Sequence, residues 1–318
     1  MISTLQQISL TISKFIVMSV LGLFTFLFST AQAESTLPAK DATSADSSTS
    51  ATRGLLFEIK SGKNTAYLFG SIHIAKADFY PMSPKVEAAY LQADTVAIEA
   101  DTTDTKAMQA MLSKLSYAAP DKLENHVTAA TWGNMKSVFG PAIEQMQGFK
   151  PFVVTSGLAM QVGMQMGYDP KQGIDLHFIN RAKTDKKSLV ELESVEFQAG
   201  ILGGLSDEEG DALLAATIES LKNREMFKDL TSIETAWKAA DANAIAKLFV
   251  DAANKDAASK KVMKMLMDDR NEGMVAKIND MMASGKKLFV VVGAGHLAGE
   301  KSVVDLLQKQ GLEVKQIR

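Results

Sequence analysis

Two of the four histidines share one local pattern, a glycine three residues before the histidine, and both follow an apolar run. The two motifs are Gly70-Ser-Ile-His73 and Gly293-Ala-Gly-His296, and Glu99 follows a third apolar run at 95–98. Two imidazoles and one carboxylate are ligands that a divalent first-row metal accepts while some coordination positions stay open. At such a metal, bound water loses a proton more readily and a carbonyl is polarised, so these residues predict metal-assisted chemistry. The alternatives are loop or capping histidines and a solvated glutamate, none with a functional role.

Arg270 is a further candidate because it interrupts an apolar stripe. In the helix predicted over 256–283, methionines recur at helical spacing, and Arg270 lies between two of them on the same face. A buried guanidinium needs a carboxylate or carbonyl partner, so we expect it to contact Glu99, Glu193 or Asp175, or an oxygen of a substrate. The alternative is an arginine at the rim of the stripe whose charged head reaches water.

The elements around the two histidine motifs follow the same order twice: strand, G-x-x-H loop, helix, strand. The predicted elements are strand 65–69, helix 86–91 and strand 95–98 in the first unit, and strand 287–292, helix 301–310 and strand 312–317 in the second. Right-handed crossovers make the two strands of each unit parallel. Since ligands bind outside the carboxyl ends of parallel strands, His73, Glu99 and His296 should meet at one edge of the sheet. Glycine in each motif allows a sharp turn and the close approach of a ligand.

The remaining segments predict an α/β fold with helices inserted between the two units. A strand over 55–59 should pair with strand 65–69 as a β-hairpin, and another strand is predicted at 188–192. Helices are predicted over 104–117, 121–139, 152–166, 173–185, 207–228, 230–250 and 256–283. The predicted architecture is a mixed, partly parallel central sheet built from two β–(GxxH loop)–α–β units, with flanking and intervening helices. The other two histidines, His126 and His177, are expected at the surface or between helices.

The N-terminal 33 residues have the features of a signal peptide. Lys14 precedes an apolar run at 15–28, and Ala31-Gln-Ala33 is a small-x-small cleavage motif. The run is short for a membrane-spanning helix, which needs about 20 residues, so an uncleaved anchor is the less favoured alternative. We expect cleavage after Ala33, a periplasmic or secreted location, and no stable membrane span in the mature chain. Residues 34–53 are mostly Ser, Thr and Ala, which predicts a disordered linker before a domain at 54–318.

The composition excludes several classes of protein. Lys and Arg total 34 and Asp and Glu total 37, a formal charge of −3 that is too balanced for a nucleic-acid binder relying on bulk positive charge. Apolar residues make up 46% of the chain, which is enough for a sizeable core. Cysteine is absent, so disulfides, thiol nucleophiles and iron–sulfur clusters are excluded, and any metal site must use histidine and carboxylate ligands.

Taken together, the motifs resemble those of the TraB/GumN family over nearly all of 54–318. The matching segments are Tyr67-Leu-Phe-Gly-Ser-Ile-His73, Val96-Ala-Ile-Glu99, Gly173-Ile-Asp175, Val190-Glu-Leu-Glu193 with Glu196 and Gln198, Asp269-Arg270-Asn271, and Val291-Val-Gly-Ala-Gly-His296-Leu. The resemblance implies an α/β domain related to the Tiki proteases and to the haem-binding and erythromycin-esterase-like folds. In the Tiki proteases this constellation supports manganese- or cobalt-dependent peptide cleavage.

The resemblance also assigns roles to individual residues. The metal ligands would be His73, Glu99 and His296, and the catalytic residues would include Glu99, Arg270, Asn271, Asp175 and Glu193. We expect an exported metal-dependent hydrolase, in the first place a peptidase acting on a peptide or protein with manganese or cobalt, with zinc or iron as alternatives. The rival hypothesis is a periplasmic haem or small-ligand carrier that uses a histidine as axial ligand. A third hypothesis is an interaction protein with a vestigial site.

Overall fold

The computed structural model describes residues 54–62, 64–254 and 257–318, which form one six-stranded sheet with helices packed around it. The strands are Leu55–Ser61 (β1), Asn64–Ser71 (β2), Thr95–Ile98 (β3), Ser188–Glu191 (β4), Leu288–Gly293 (β5) and Glu313–Ile317 (β6). Their order across the sheet is β4-β3-β5-β2-β1-β6. The predicted signal peptide at 1–33 lies outside the described residues, and so does the predicted linker at 34–53.

The directions of the strands confirm a mixed, partly parallel sheet. β4, β3, β5 and β2 are parallel neighbours, while β1 pairs antiparallel with both β2 and β6. β1 and β2 therefore form the predicted hairpin, and the two strands of each unit run in the same direction. The two strands of a unit are not neighbours, however. In the first unit β5 lies between β2 and β3, and in the second unit β6 lies at the far edge beside β1, away from β5. The insertion of β5 brings the second histidine motif between the strand before His73 and the strand before Glu99.

Helices fill the chain between the strands. They are Pro84–Gln92 (α1), Thr105–Lys114 (α2), Ala129–Phe139 (α3), Pro151–Gln165 (α4), Ile174–Thr184 (α5), Val195–Gly203 (α6), Asp207–Lys222 (α7), Glu225–Lys238 (α8), Ala242–Ala253 (α9), Ala257–Met263 (α10), Asp269–Ala283 (α11) and Val303–Lys309 (α12). The hydroxyl of Ser83 caps α1, as its position before Pro84 suggests. The sequence does not predict α6, because its two glycines are typical of loops.

Several predicted helices are shorter in the structure than their apolar patterns suggest. Arg224 has φ of 58° and separates α7 from α8, and Ala240 has φ of 51° and separates α8 from α9. Because such backbone angles are uncommon outside glycine, no sequence signal marks these breaks. A π-helical turn, Lys264–Asp268, separates α10 from α11 inside the predicted helix 256–283. Turns of this kind are rare and frequently lie at functional sites.

The sheet is most deeply buried at its centre. All six residues of β5 are buried, which is why this strand appears in the sequence as a continuous apolar run. The indole of Trp237 donates a hydrogen bond to the carbonyl of Gly70 at 2.7 Å, so α8 is anchored at the end of β2. A smaller apolar cluster around Trp132 and Met135 joins α3, α4 and α7. Within the described ranges, no helix is long and apolar enough to cross a membrane.

Candidate active site

His73 is held at the end of β2 by a carboxylate from α5. Its Nδ1 lies 2.6 Å from Oδ2 of Asp175, and the hydroxyl of Ser71 donates a hydrogen bond to Oδ1 of the same carboxylate. The first turn of α5 can approach this closely because residue 173 is a glycine. A Cβ on Gly173 would overlap the carbonyl oxygen of His73. With Nδ1 engaged, Nε2 is the free nitrogen of the His73 ring.

His296 is held in the same way, but by an amide. It lies in the short helical turn Ala294–Leu297 after β5, and its Nδ1 is 2.6 Å from Oδ1 of Asn271. The amide nitrogen of Asn271 donates to the carbonyl of Lys301 at 2.9 Å. This second bond fixes the orientation of the amide, so its oxygen faces the imidazole and Nδ1 of His296 must carry the proton. Nε2 of His296 is therefore left with a free lone pair.

Glu99 lies at the end of β3 and uses both carboxylate oxygens. Oε1 accepts a hydrogen bond from the backbone N–H of Gly293 at 2.5 Å, and Oε2 accepts one from Nη2 of Arg270 at 2.7 Å. Nε2 of His296 is 3.8 Å from Oε1. Glu99 thus joins the ends of three neighbouring structural elements, β3, β5 and the helix that carries Arg270.

Arg270 bridges two buried carboxylates, as its position on the apolar stripe predicts. Its Nε is 2.9 Å from Oε1 of Glu193 and its Nη2 is 2.6 Å from Oε2, in addition to the contact with Glu99. Nη1 donates to the carbonyl of Leu266 at 3.1 Å, inside the π-helical turn. Asp175, the third partner considered from the sequence, is instead bonded to His73. Nε2 of Gln198 donates to Glu193 at 2.9 Å and holds that carboxylate from α6.

The three expected ligands converge on Gly293. A Cβ built on this residue would lie 3.3 Å from Oε1 of Glu99, 3.6 Å from Cδ2 of His296 and 3.9 Å from Nε2 of His73. Gly293 faces Ser71 across the β2–β5 pair, so the register of the sheet sets this meeting point. The glycine leaves room for the Glu99 carboxylate, and its φ of −51° does not need the sharp turn that the sequence suggested.

The pKa values of the two histidines beside Glu99 depart from the ordinary value in opposite directions. Burial would raise the pKa of Glu99, but His296, Arg270 and His73 lower it to about 2, so the group is a carboxylate. Burial lowers the pKa of His296 to about 4. Burial also acts to lower the pKa of His73, but the charge of Asp175 and the hydrogen bond to it raise that pKa above its ordinary value. A neutral imidazole and a more basic one therefore face the same carboxylate.

A cavity of about 40 Å³ lies beside these groups. Its polar wall is formed by His73, Glu99, Asp175 and Arg270, and its apolar walls include Ile98, Leu176, Ile179, Leu202 and Leu266. Since one water needs roughly 10–15 Å³ of such volume, the cavity holds a few waters or one small polar group. An imidazole, two carboxylates and a guanidinium thus line a space that is mostly apolar.

The donor set fits a divalent metal in the type of its side chains. Each imidazole presents Nε2 while its Nδ1 is hydrogen-bonded to an oxygen, which is the arrangement usual for metal-bound histidine. Glu99 is ionised and retains unused lone pairs on its oxygens. In the part of the chain that the structure describes, no three His, Asp or Glu side chains are already close enough together to hold a metal ion.

The two remaining histidines lie away from this cavity. His177 packs between the rings of Tyr80 and Phe178, with ring centroids 5.0 Å apart in both pairs. His126 is partly exposed, and both of its ring nitrogens are hydrogen-bonded: Nδ1 lies 2.9 Å from Oδ1 of Asp207, and Nε2 lies 2.8 Å from Oδ2 of Asp121. Sequence reasoning gave no role to the Ser71 hydroxyl or to the Leu266 carbonyl, although Ser71 lies inside the first G-x-x-H motif.

Fold and site together define an α/β protein in which two G-x-x-H motifs and a glutamate meet at the carboxyl ends of parallel strands. The model of the TraB/PrgY/gumN family matches residues 55–316, and the chain belongs to this family. The proteins named YbaP from Shigella flexneri and from Escherichia coli (strain K12) are each 26% identical to it over 255 residues, 78% of this chain and 89% of theirs. An uncharacterized protein of Treponema pallidum (strain Nichols) is 21% identical over 273 residues, 81% of each chain. No solved structure matches the chain.

Proposed function

We propose that the chain is an exported metal-dependent hydrolase, and that peptides are its first substrate class. The observation that carries this proposal is the convergence of His73, Glu99 and His296 around Gly293, with each imidazole held through Nδ1. Peptides are favoured because the same motif set resembles that of the Tiki proteases. Export is favoured by the signal-peptide features of residues 1–33.

His73, His296 and Glu99 would hold the ion, manganese or cobalt first and zinc or iron as alternatives. Such an ion supplies Lewis acidity toward a carbonyl and makes water a better nucleophile at neutral pH. Asp175 and Asn271 act on the histidines, because each accepts the Nδ1 proton of one ring and so directs Nε2 inward.

Arg270 has two tasks in this proposal. It keeps Glu99 ionised and fixed in place, since its guanidinium is tied to Glu193 and to the Leu266 carbonyl at the same time. It also lines the cavity, so its positive charge faces the position where an oxyanion develops when a carbonyl is attacked. The apolar walls exclude bulk water, which strengthens both effects.

Elemental analysis of the mature protein, residues 34–318, tests the metal part of the proposal. The wild type is compared with His73→Ala, His296→Ala and the control His126→Gln, each reconstituted with manganese or cobalt and then freed of loose ions. We expect close to one ion per chain in the wild type and the control, and a loss in both alanine variants. Circular dichroism checks that all four proteins are folded.

Peptide hydrolysis is then measured with a mixed fluorogenic peptide library and the ion that binds. Activity in the wild type, together with its loss in both alanine variants, supports the proposal. Full activity in both alanine variants would overturn it. The proposal is also overturned if two results are found together. The first is that no ion is retained after reconstitution. The second is that a haem titration gives a Soret band that His73→Ala or His296→Ala removes, as expected of a haem carrier.

A further inference from the structure

A second cavity lies outside the groups described so far. Its volume is about 160 Å³, and it is bounded by the start of α4, the end of α6 and the start of α7. The cavity is four times as large as the space beside Glu99, so it can take a group that the first cavity cannot.

One helix joins the two cavities. Leu202, near the end of α6, lines both of them and is buried. The same helix carries Gln198, whose side chain holds Glu193 and so contacts the Arg270 cluster. The two cavities therefore border the same leucine side chain and are neighbours.

The second cavity has an apolar wall and a polar end. Phe152, Leu202 and Leu205 supply apolar surface. At the polar end, Lys150 Nζ donates to the carbonyl of Gly203 at 3.0 Å, which uses one of its three protons. Also at this end, Tyr117 stacks on His126 with ring centroids 4.2 Å apart.

Two of the helix ends that line this cavity are held in place by local contacts. A Cβ on Gly210 would lie 2.8 Å from Cγ of Pro151, so the start of α4 already touches α7 there. The hydroxyl of Ser206 and the carboxylate of Glu209 form a reciprocal capping box that fixes the first turn of α7. The cavity is thus formed between anchored helix ends and exists before any ligand binds.

Size and lining together point to an aromatic ring. An engineered cavity of about 150 Å³ lined by leucine, isoleucine and phenylalanine, in an unrelated protein, binds benzene. We propose that the second cavity is a subsite that binds one aromatic side chain of a peptide substrate, next to the bond that is hydrolysed beside Glu99. The identity of the ligand as a peptide substrate rests on the proposed hydrolase function. The binding of an aromatic ring in the cavity is independent of that function.

Ligand binding without turnover is the first test. Toluene, the side-chain analogue of phenylalanine, is titrated against the mature protein and followed by saturation-transfer NMR. Leu205→Trp fills the cavity, with Leu205→Phe as a milder variant if the first fails to fold. Phe197→Trp is the matched control, because Phe197 lies half-exposed on α6 and lines neither cavity. We expect toluene to bind the wild type and the control and to lose at least tenfold in affinity in the filled variant.

Substrate preference is the second test. Peptides that differ only by phenylalanine or alanine at each position are compared by kcat/KM. A phenyl group in an apolar subsite should favour cleavage by about tenfold or more at one position, and Leu205→Trp should bring that ratio near one while Phe197→Trp preserves it.

The outcomes separate the subsite from the hydrolase. If toluene binds as expected but no peptide is cleaved, the subsite stands as a ligand site and the hydrolase fails. If peptides are cleaved but toluene does not bind, or binds the filled variant equally well, the subsite is wrong and the hydrolase stands.

Discussion

Replacement of Arg270 by methionine should destabilise the folded protein by about 3–5 kcal/mol, the usual cost of removing one partner of a buried ion pair. Methionine keeps much of the apolar length of the side chain, so loss of packing is a minor part of the change. The larger part comes from Glu193, which is buried, and Glu99, whose side chain is 11% exposed, because both would remain carboxylates with no guanidinium between them.

A double variant separates the effect of buried charge from the effect of lost contacts. Adding Glu193→Gln to Arg270→Met removes one of the two uncompensated charges, so the double variant should be more stable than Arg270→Met alone. Two independent losses of contact would instead add up. Loss of one shared contact would leave the double variant no more stable than Arg270→Met, so a gain in stability over that single variant identifies the uncompensated charge.

Urea-induced unfolding followed by circular dichroism at neutral pH measures these free energies. The control is Glu196→Gln. Glu196 lies on α6, as Gln198 does, but its carboxylate is exposed and is paired with Lys114, at 2.6 Å. We expect this control to unfold like the wild type. A cost below about 1 kcal/mol for Arg270→Met, the range of an exposed pair, would refute the reasoning, and so would a double variant whose cost equals the sum of the two single costs.

Three further perturbations test other parts of the structure. Asp175→Asn should leave the fold intact but weaken manganese or cobalt binding about 10–100-fold in titrations, because His73 loses its orienting carboxylate; unchanged affinity would count against that role. Gly173→Ala should cost about 1–3 kcal/mol in urea unfolding, since the added Cβ overlaps a backbone oxygen; wild-type stability would show that α5 can shift. For Glu234, burial acts to raise the pKa, but hydrogen bonds headed by that of Lys238 lower it to about 2. The ionised Glu234 therefore stabilises the folded protein above the pKa that the group has in the unfolded chain, and this contribution is lost as the pH falls from about 4.5 to 2. The difference in unfolding free energy between the wild type and Glu234→Gln should shrink over that range.

Local pattern was sufficient to predict most of the strands, and it narrowed the possible partners of Arg270. The apolar run at 287–292 and the hairpin depend on neighbours in sequence, so periodicity reveals them. For Arg270 the pattern left Glu99, Glu193, Asp175, a substrate oxygen or water as partners, and the structure shows Glu99 and Glu193.

Other features depend on packing between distant segments and left no local signal. Nothing near β5 indicates that it lies between β2 and β3 and not beside β6. The breaks at Arg224 and Ala240 occur at non-glycine residues with positive φ, which sequence rules place elsewhere. The second cavity also depends on how three helix ends meet, and no single segment predicts it.

The central position of β5 has a consequence for the order of folding. The N–H of Gly293 and the carboxylate of Glu99 that it contacts are 194 residues apart in sequence. Strands β2 and β3 come together only when β5 enters between them, so the sheet and the site cannot form from the N-terminal half of the chain alone. Contacts of such long range slow folding. If the chain is exported as we propose, that delay would keep it unfolded and competent for translocation until its last strands have crossed the membrane.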